Sequence, residues 1–433
     1  MKKWLVLLIC TLLFVGCSKS DVTSNDDYIT ITLADNEILV DGNEISKDDS
    51  KAVYLANDIV YYEEGKDSSY GEGTDSDSHS IEEAKSHSVV HITKAGTYRL
   101  KGSLSKGQIA VDLGEDAEED PNDVVTLLLD NVDITCEVAP AIIFYNVYES
   151  NSTSSAGANV ELVNGSINNV NGSYVAKIFK PGTDKKLHKY DGAFYSKQSM
   201  IIDGDDGCLN IVAENEGLGS EMHLTINGGC IEIIAQNDGI NVNEDDESIF
   251  TMNDGILSID SGYGDEGDGI DSNGSLIING GTVIAMCSDD TPDGGIDADL
   301  GITINGGTVI AFGRNGSINK DSKLNYISGR VDSTQIVVDQ LFEIQTPRKY
   351  SSVLFSSSDI DKNGTYTING NNAIINFNGG FDFPGGMGRP EGKGEFDPSR
   401  MPENFDPNNI PNDMKRPDGD FDPSKKPDDM MKA

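Results

Sequence analysis

Three short segments carry oxygen ligands in a common pattern: Asn237-Asp238-Gly239-Ile240-Asn241-Val242-Asn243, Gly267-Asp268-Gly269-Ile270-Asp271-Ser272-Asn273 and Asp293-Gly294-Gly295-Ile296-Asp297-Ala298-Asp299. The shared form is Gly-Ile-(Asp/Asn)-x-(Asp/Asn). If the Ile points inward on extended backbone, the flanking oxygens at alternate positions share the outward face. Stacking the segments puts Asn241, Asp271 and Asp297 in one column, about 4.8 Å apart, and Asn243, Asn273 and Asp299 in a second. Like charges that close raise each other's pKa unless a cation intervenes. Hard oxygens at that spacing suit Ca²⁺, which takes six to eight oxygen ligands in tolerant geometry. Asp265, Glu266, Asp268, Asp289, Asp290 and Asp293 add carboxylates from the adjoining loops. The alternative is a solvated acidic turn face.

What the neighbourhood lacks is equally telling. From Gln198 to Gly313 there is no Lys or Arg, against 23 Asp and Glu. Abstracting a proton beside a sugar carboxylate needs a cation to acidify it and a base to take it. These coils offer no basic side chain. Arg314, Lys197 or the basic loop Lys177–Lys189 would have to reach in from outside. Paired carboxylates could instead hydrolyse a glycoside, with acid and base about 6.5–9.5 Å apart for inversion. Ser288-Asp289-Asp290 resembles the double-Asp element of β-helical polygalacturonases, but their His-Gly and Arg-x-Lys partners are missing, since Leu224 follows His223. No catalytic residue is assigned.

The elements that position these oxygens follow from a repeat. Asn227, Asn253, Asn279 and Asn305 lie 26 residues apart, each opening an Asn-Gly-Gly or Asn-Asp-Gly turn. Apolar columns align on that register: Leu224, Phe250, Leu276 and Ile302; Ile226, Met252, Ile278 and Ile304; Ile231, Leu257, Val283 and Val309; Ile233, Ile259, Ala285 and Ala311. The local period is two, so the runs are strands. Two strands per repeat without a helix predict an all-β parallel solenoid with its apolar columns inside. The turn Asn residues tolerate left-handed backbone and could hydrogen-bond along the axis as a ladder. Asp206–Ile211 matches Gly228–Ile233, which stacks Cys208 on Cys230, either bonded or packed as thiols.

Regular coils span 199–313, with irregular coils upstream at Val124–Leu129, Ala141–Phe144 and Asn159–Val163. Gly96–Leu100 and Gly107–Val111 start the stack, and Asp67–Ser88 reads as an exposed loop. Gln335–Val338, Ser352–Phe355 and Tyr366–Phe377 supply closing strands. From Gly379 the composition shifts to Gly, Pro, Asp, Met and Lys around Phe396-Asp397-Pro398, Phe405-Asp406-Pro407 and Phe421-Asp422-Pro423. Such a segment buries too little to offset its ordering entropy and reads as a disordered tail, 379–433.

The chain has 433 residues, with 73 Asp and Glu against 32 Lys and Arg, for a net charge of −41. That charge repels nucleic acid and anionic membrane surfaces, so neither is expected as a direct partner. Lys2 and Lys3 precede an apolar run, Trp4–Val15, too short for a span of about 20 residues. The run ends in Phe14-Val15-Gly16-Cys17, which resembles a bacterial lipoprotein lipobox with Phe14 where Leu is usual. By that resemblance residues 1–17 are a signal cut before Cys17, Cys17 carries lipid, and 18–27 is a polar tether. An ordinary secretory signal is the alternative. The remaining cysteines lack metal-finger spacing.

The run Ile92-Thr93-Lys94-Ala95-Gly96-Thr97-Tyr98-Arg99-Leu100-Lys101-Gly102, with Gly107–Asp112, Val125–Ile134, the Asn-Gly-Gly and Asp-Gly-Ile coils and Tyr350–Tyr366, resembles a family of bacterial surface proteins. These are the carbohydrate-binding domain-containing proteins of clostridia and relatives, similar to pectate lyases. The likeness covers residues 28–378. It implies a right-handed single-stranded parallel β-helix, bound calcium, cellulose or acidic-sugar binding, and no established lyase activity. Mapped here, Asp268, Asp271, Asp297, Asp299 and Asp293 are the anionic calcium ligands, with Asn241, Asn243 and Asn273 neutral. The high acidity departs from direct uronate binding unless calcium bridges. The single Trp leaves with the signal, so Tyr263, Tyr190 and Tyr195 are the aromatic candidates for sugar. The expectation is a monomeric, non-catalytic polysaccharide binder on the outer face of the cell membrane, with a calcium-dependent lyase or an adhesion scaffold as alternatives.

Overall fold

Alternating apolar and polar residues fold here as expected, into short strands that stack coil upon coil. A computed structural model describes residues 28–59, 81–172, 178–179, 186–188, 192–264, 267–288 and 293–376. All of them fall in one compact unit, Met1–Gly386. Cys17, the tether, Tyr190, Asp265, Glu266, Asp289, Asp290 and the tail lie outside the described residues, as does most of the Lys177–Lys189 loop.

The columns read from the repeat pair in parallel register. Leu224, Phe250, Leu276 and Ile302 are successive ladder partners, as are Ile231, Leu257, Val283 and Val309. All eight are fully buried. At the turn, the Asn253, Asn279 and Asn305 amides each donate to the Oδ1 of the Asn one coil before, at 2.8, 2.9 and 3.0 Å. The ladder begins on Asp203, which accepts from Asn227 at 2.9 Å. Cys208 and Cys230 are register partners and are not disulfide-bonded, so they stack as thiols.

Several expectations change. The repeat predicts two strands per coil, but the regular coils Met200–Ser272 add a third. The Gly-Ile-(Asp/Asn) segments form it, in the strands Ile240–Val242 and Ile270–Ser272, which ladder with Glu216–Ser220 and Gly192–Ser196. One inward Ile is too little pattern to announce a strand; the neighbouring coils impose it. The stack also begins earlier than Gly96, because Tyr28–Leu33 pairs in parallel with Gly96–Leu104. Within the expected 67–88 loop, Ile81–Lys85 is a helical turn and Ser88 opens the strand Ser88–Ile92.

The pairing is not parallel throughout. At the N-terminal end Val53–Ala56 runs antiparallel to Ser88–Ile92. At the other end Ser352–Ser356 lies antiparallel to both Thr308–Phe312 and Tyr326–Arg330. Gln335–Val338 does not close the stack but joins a separate four-stranded sheet with Phe342–Gln345. A second hydrophobic cluster around Phe312, Ile336, Tyr350 and Phe355 sits beneath it. The molecule is thus a largely β fold of mixed sheets, parallel through its middle. Among the described residues no helix is long and apolar enough to cross a membrane.

Candidate metal centre

The third strand stack builds the site. Each rung contributes an acid, a glycine and an apolar residue: Glu216-Gly217-Leu218, Asp238-Gly239-Ile240 and Asp268-Gly269-Ile270, followed by Gly294-Gly295-Ile296. The Leu and Ile side chains are fully buried. The glycines let the coils close up. A Cβ on Gly239 would lie 2.6 Å from the carbonyl oxygen of Gly269, and one on Gly269 would lie 2.2 Å from that of Gly295.

That spacing brings the acids together. One carboxylate oxygen from each of Asp268, Asp271 and Asp297 lies within 4.8 Å of the others, the only such group of three among the described residues. Asn241 is the ladder partner of Asp271, and Ile270 bridges in parallel to Ile296, which sets Asp297 beside Asp271. The predicted first column therefore forms. Asp268 joins it from the edge, where its Oδ1 accepts from the backbone N–H of Gly294.

Burial dominates the electrostatics, with mutual repulsion added. Asp268 is pushed up to about 8, first by desolvation and then by Asp271, Asp297 and Asp293. Asp271 is pushed up to about 7 by desolvation, then Asp297, Glu216 and Asp299. Asp297 is raised for the same reasons. Two further acids enter that were not assigned as ligands. Glu216 is 1 % exposed, and Asp238 is raised by burial, then by Glu216 and Asp271. Asp238 occupied the same motif position as Asp268, so its signal was present. Glu216 was hidden because its rung reads Glu-Gly-Leu-Gly.

Asn241 provides the test of fit. It is 5 % exposed, and its Nδ2 donates to Glu216 Oε1 at 2.8 Å, yet its Oδ1 is buried without a hydrogen-bond partner. A buried acceptor left unsatisfied costs about 1–3 kcal/mol. An orphan carbonyl oxygen beside three crowded carboxylates is a donor set for a hard cation. The coils that build the site, 198–313, contain no Lys or Arg of their own.

The other predicted ligands point elsewhere. Asn273 donates to the Asn243 carbonyl at 2.8 Å and to Asp245 Oδ1 at 3.1 Å. Asn243 hydrogen-bonds the Glu221 carboxylate. Asp293 Oδ2 accepts from Gly267 N–H at 2.8 Å, and Asp299 is exposed. These four support or flank the three-carboxylate group and are not part of it.

The aromatic candidates separate. Tyr195 is 1 % exposed, and its hydroxyl donates to Glu221, so it presents no face to a sugar; this corrects its assignment as a platform. Tyr263 is 46 % exposed. Its hydroxyl donates to Asp260, and the Arg348 guanidinium lies 4.4 Å from its ring centroid. Arg348 also pairs with Asp260 at 2.9 Å. The sequence carried no sign of Arg348, which arrives from the C-terminal cap, 88 residues after Asp260. Of the bases considered for lyase chemistry, Lys197 is paired with Glu118 at 2.8 Å. Arg314 is exposed, with its backbone N–H on the Asp293 carbonyl at 3.0 Å.

Fold and site together define a stacked β-sheet protein with an acidic outer face on its third sheet. The chain belongs to the carbohydrate-binding domain-containing protein family, whose model matches residues 86–379. Among solved structures it is similar to a polysaccharide lyase-like protein from C. thermocellum, determined as a gadolinium derivative. The two are 21 % identical, with a TM-score of 0.41, over 65 % of this chain and 90 % of that one. No curated protein matches the chain.

Proposed function

We propose that this protein is a right-handed parallel β-helix, lipid-anchored through Cys17 on the outer face of the cell membrane. As a monomer it binds polysaccharide with calcium and does not transform it. Its carbohydrate-binding domain is residues 28–378. The observation that carries the reading is the approach of Asp268, Asp271 and Asp297 within 4.8 Å of one another. These three carboxylates and the Asn241 carbonyl oxygen would hold the ion. When bound, calcium neutralises their repulsion and offers open positions to the carboxylates and hydroxyls of a sugar. The chain's own part is to crowd the oxygens, while Asp260 and Arg348 hold the exposed Tyr263 in place. Family membership supports a saccharide ligand, either cellulose or an acidic plant cell-wall polymer.

The test incubates the full chain with insoluble pectate or cellulose, with calcium or with chelator. The pellet is assayed for protein and the supernatant for unsaturated uronates. Calcium-dependent pelleting without product is expected. Product formation would instead support the lyase alternative, for which the exposed Arg314 beside Asp293 is the candidate base and Arg314→Ala the control. Retention unaffected by chelator would remove calcium from the account.

A further inference from the structure

The ladder that stacks oxygen on one sheet stacks sulfur on another. Cys208 and Cys230 open the strands Cys208–Ala213 and Cys230–Ala235 and face each other as parallel register partners. Both are half-buried, and neither is disulfide-bonded. Their strand neighbours Leu209 and Ile231 are fully buried, so alternation turns the two cysteines outward. The other two described cysteines differ. Cys136 and Cys287 are buried, and burial pushes the Cys136 thiol up to about 12, which keeps it protonated. Along the stack the column reads Ile167, Cys208, Cys230, Ile256, so the pair sits between aliphatic residues with no carboxylate in line.

The spacing selects the chemistry. In-register residues on neighbouring strands lie about 4.8 Å apart, with their Cα–Cβ bonds side by side. A disulfide needs Cβ atoms about 3.8 Å apart and sulfurs at about 2.05 Å. Drawing the coils together is opposed by the backbone bonds that fix both residues. Cys208 N–H donates to the Ser166 carbonyl and Cys230 N–H to that of Gly207, each at 2.9 Å. A metal–thiolate bond of about 2.3 Å, as for zinc, spans about 4.6 Å across two sulfurs in line, close to the ladder spacing. Thiolates select soft cations such as Cu(I), while carboxylates and carbonyls select calcium.

We propose that Cys208 and Cys230 form a two-thiolate surface site for one soft monovalent cation of the Cu(I) and Ag(I) class. Binding releases two S–H protons and forms two S–metal bonds, with no change of oxidation state. Calcium is a poor competitor there, because it prefers oxygen ligands and the residues flanking the pair in the column are Ile167 and Ile256.

The full chain, reduced, is titrated with Cu(I) presented as its bicinchoninate complex, alongside Cys208→Ser, Cys230→Ser and Cys136→Ser. The unsubstituted chain is expected to withdraw one more equivalent of Cu(I) than either surface variant, with affinity weakened about tenfold or more when one thiolate is lost. Cys136→Ser should match the unsubstituted chain. As a readout that needs no variant, bound Cu(I) should protect Cys208 and Cys230 from alkylation, scored by peptide mass. Equal uptake by the unsubstituted chain and Cys208→Ser overturns the site. Ready closure of the pair to a disulfide by oxidised glutathione in the folded chain overturns the spacing argument.

Discussion

Two stacks of near-identical side chains run along this molecule, and they behave in opposite ways. At the turn, Asn253, Asn279 and Asn305 each donate to the coil before and satisfy one another. On the third sheet, Asp271 and Asp297 stand at the same coil spacing, and burial with the charge of neighbouring carboxylates raises the pKa of both. The spacing is shared, so the side chain makes the difference. A carboxamide carries a donor and an acceptor and can pair with its own copy; an ionised carboxylate only accepts. Repetition therefore stabilises the first stack and leaves the second in need of a proton or a cation. Asn241 stands between the two cases. It occupies the carboxylate column, spends its donor on Glu216 and keeps an orphan oxygen.

The largest expected effect comes from supplying that cation. Calcium at a hundredfold excess over its Kd adds about 2.7 kcal/mol of stability, read as a rise in melting temperature at pH 8. Asp271→Asn should lose most of that rise while melting at or above the unsubstituted chain in chelator, because it removes a like charge. A variant that still responds fully to calcium would place the ion elsewhere.

A pH series sharpens the same contrast. Asp268 and Asp271 titrate near 8 and 7 in the folded chain but near 3.8 when unfolded. Between about pH 4 and pH 8 the folded state thus keeps protons that the unfolded state has lost. Stability in chelator is fully present below about pH 4, falls as pH rises through that window and levels off above it. Saturating calcium should flatten the slope. Denaturant midpoints at fixed ionic strength check both curves, and a rising midpoint in chelator would reverse the sign.

The smallest effect comes from making the turn resemble the site. Asn279→Asp keeps the acceptor for Asn305 but loses the donor to Asn253, one exposed hydrogen bond. The cost should be about 1 kcal/mol, and calcium should not recover it. A larger loss, or rescue by calcium, would mean that the two stacks are not separate in kind.

Most of the fold was legible because a strict period of 26 residues repeats both the apolar columns and the turn Asn. Leu224, Phe250, Leu276 and Ile302 follow one another at 26 residues, and they ladder in register. Legibility failed where the period did. The step from Asp238 to Asp268 is 30 residues. The third strand holds one inward Ile per rung, and Glu216 sits in a rung with a different motif. The antiparallel ends obey no repeat at all. At the site, the trio could be read from stacked Asp positions, whereas Tyr195 could not be judged without its buried surroundings. Arg348 comes from a different part of the fold and left no local pattern.

The antiparallel strand Ser352–Ser356 has a consequence for assembly. A stack of parallel rungs ends in a strand whose outer N–H and C=O groups invite another rung, and a copy of this chain would fit the last one well. Ser352–Ser356 occupies that position on Thr308–Phe312 in the reverse direction, and Tyr326–Arg330 covers it in turn. A rung from a second chain meets a reversed strand in place of the growing ladder. The place where the repeat would add its next coil on Thr308–Phe312 is thus filled from within the chain, by a strand running the other way.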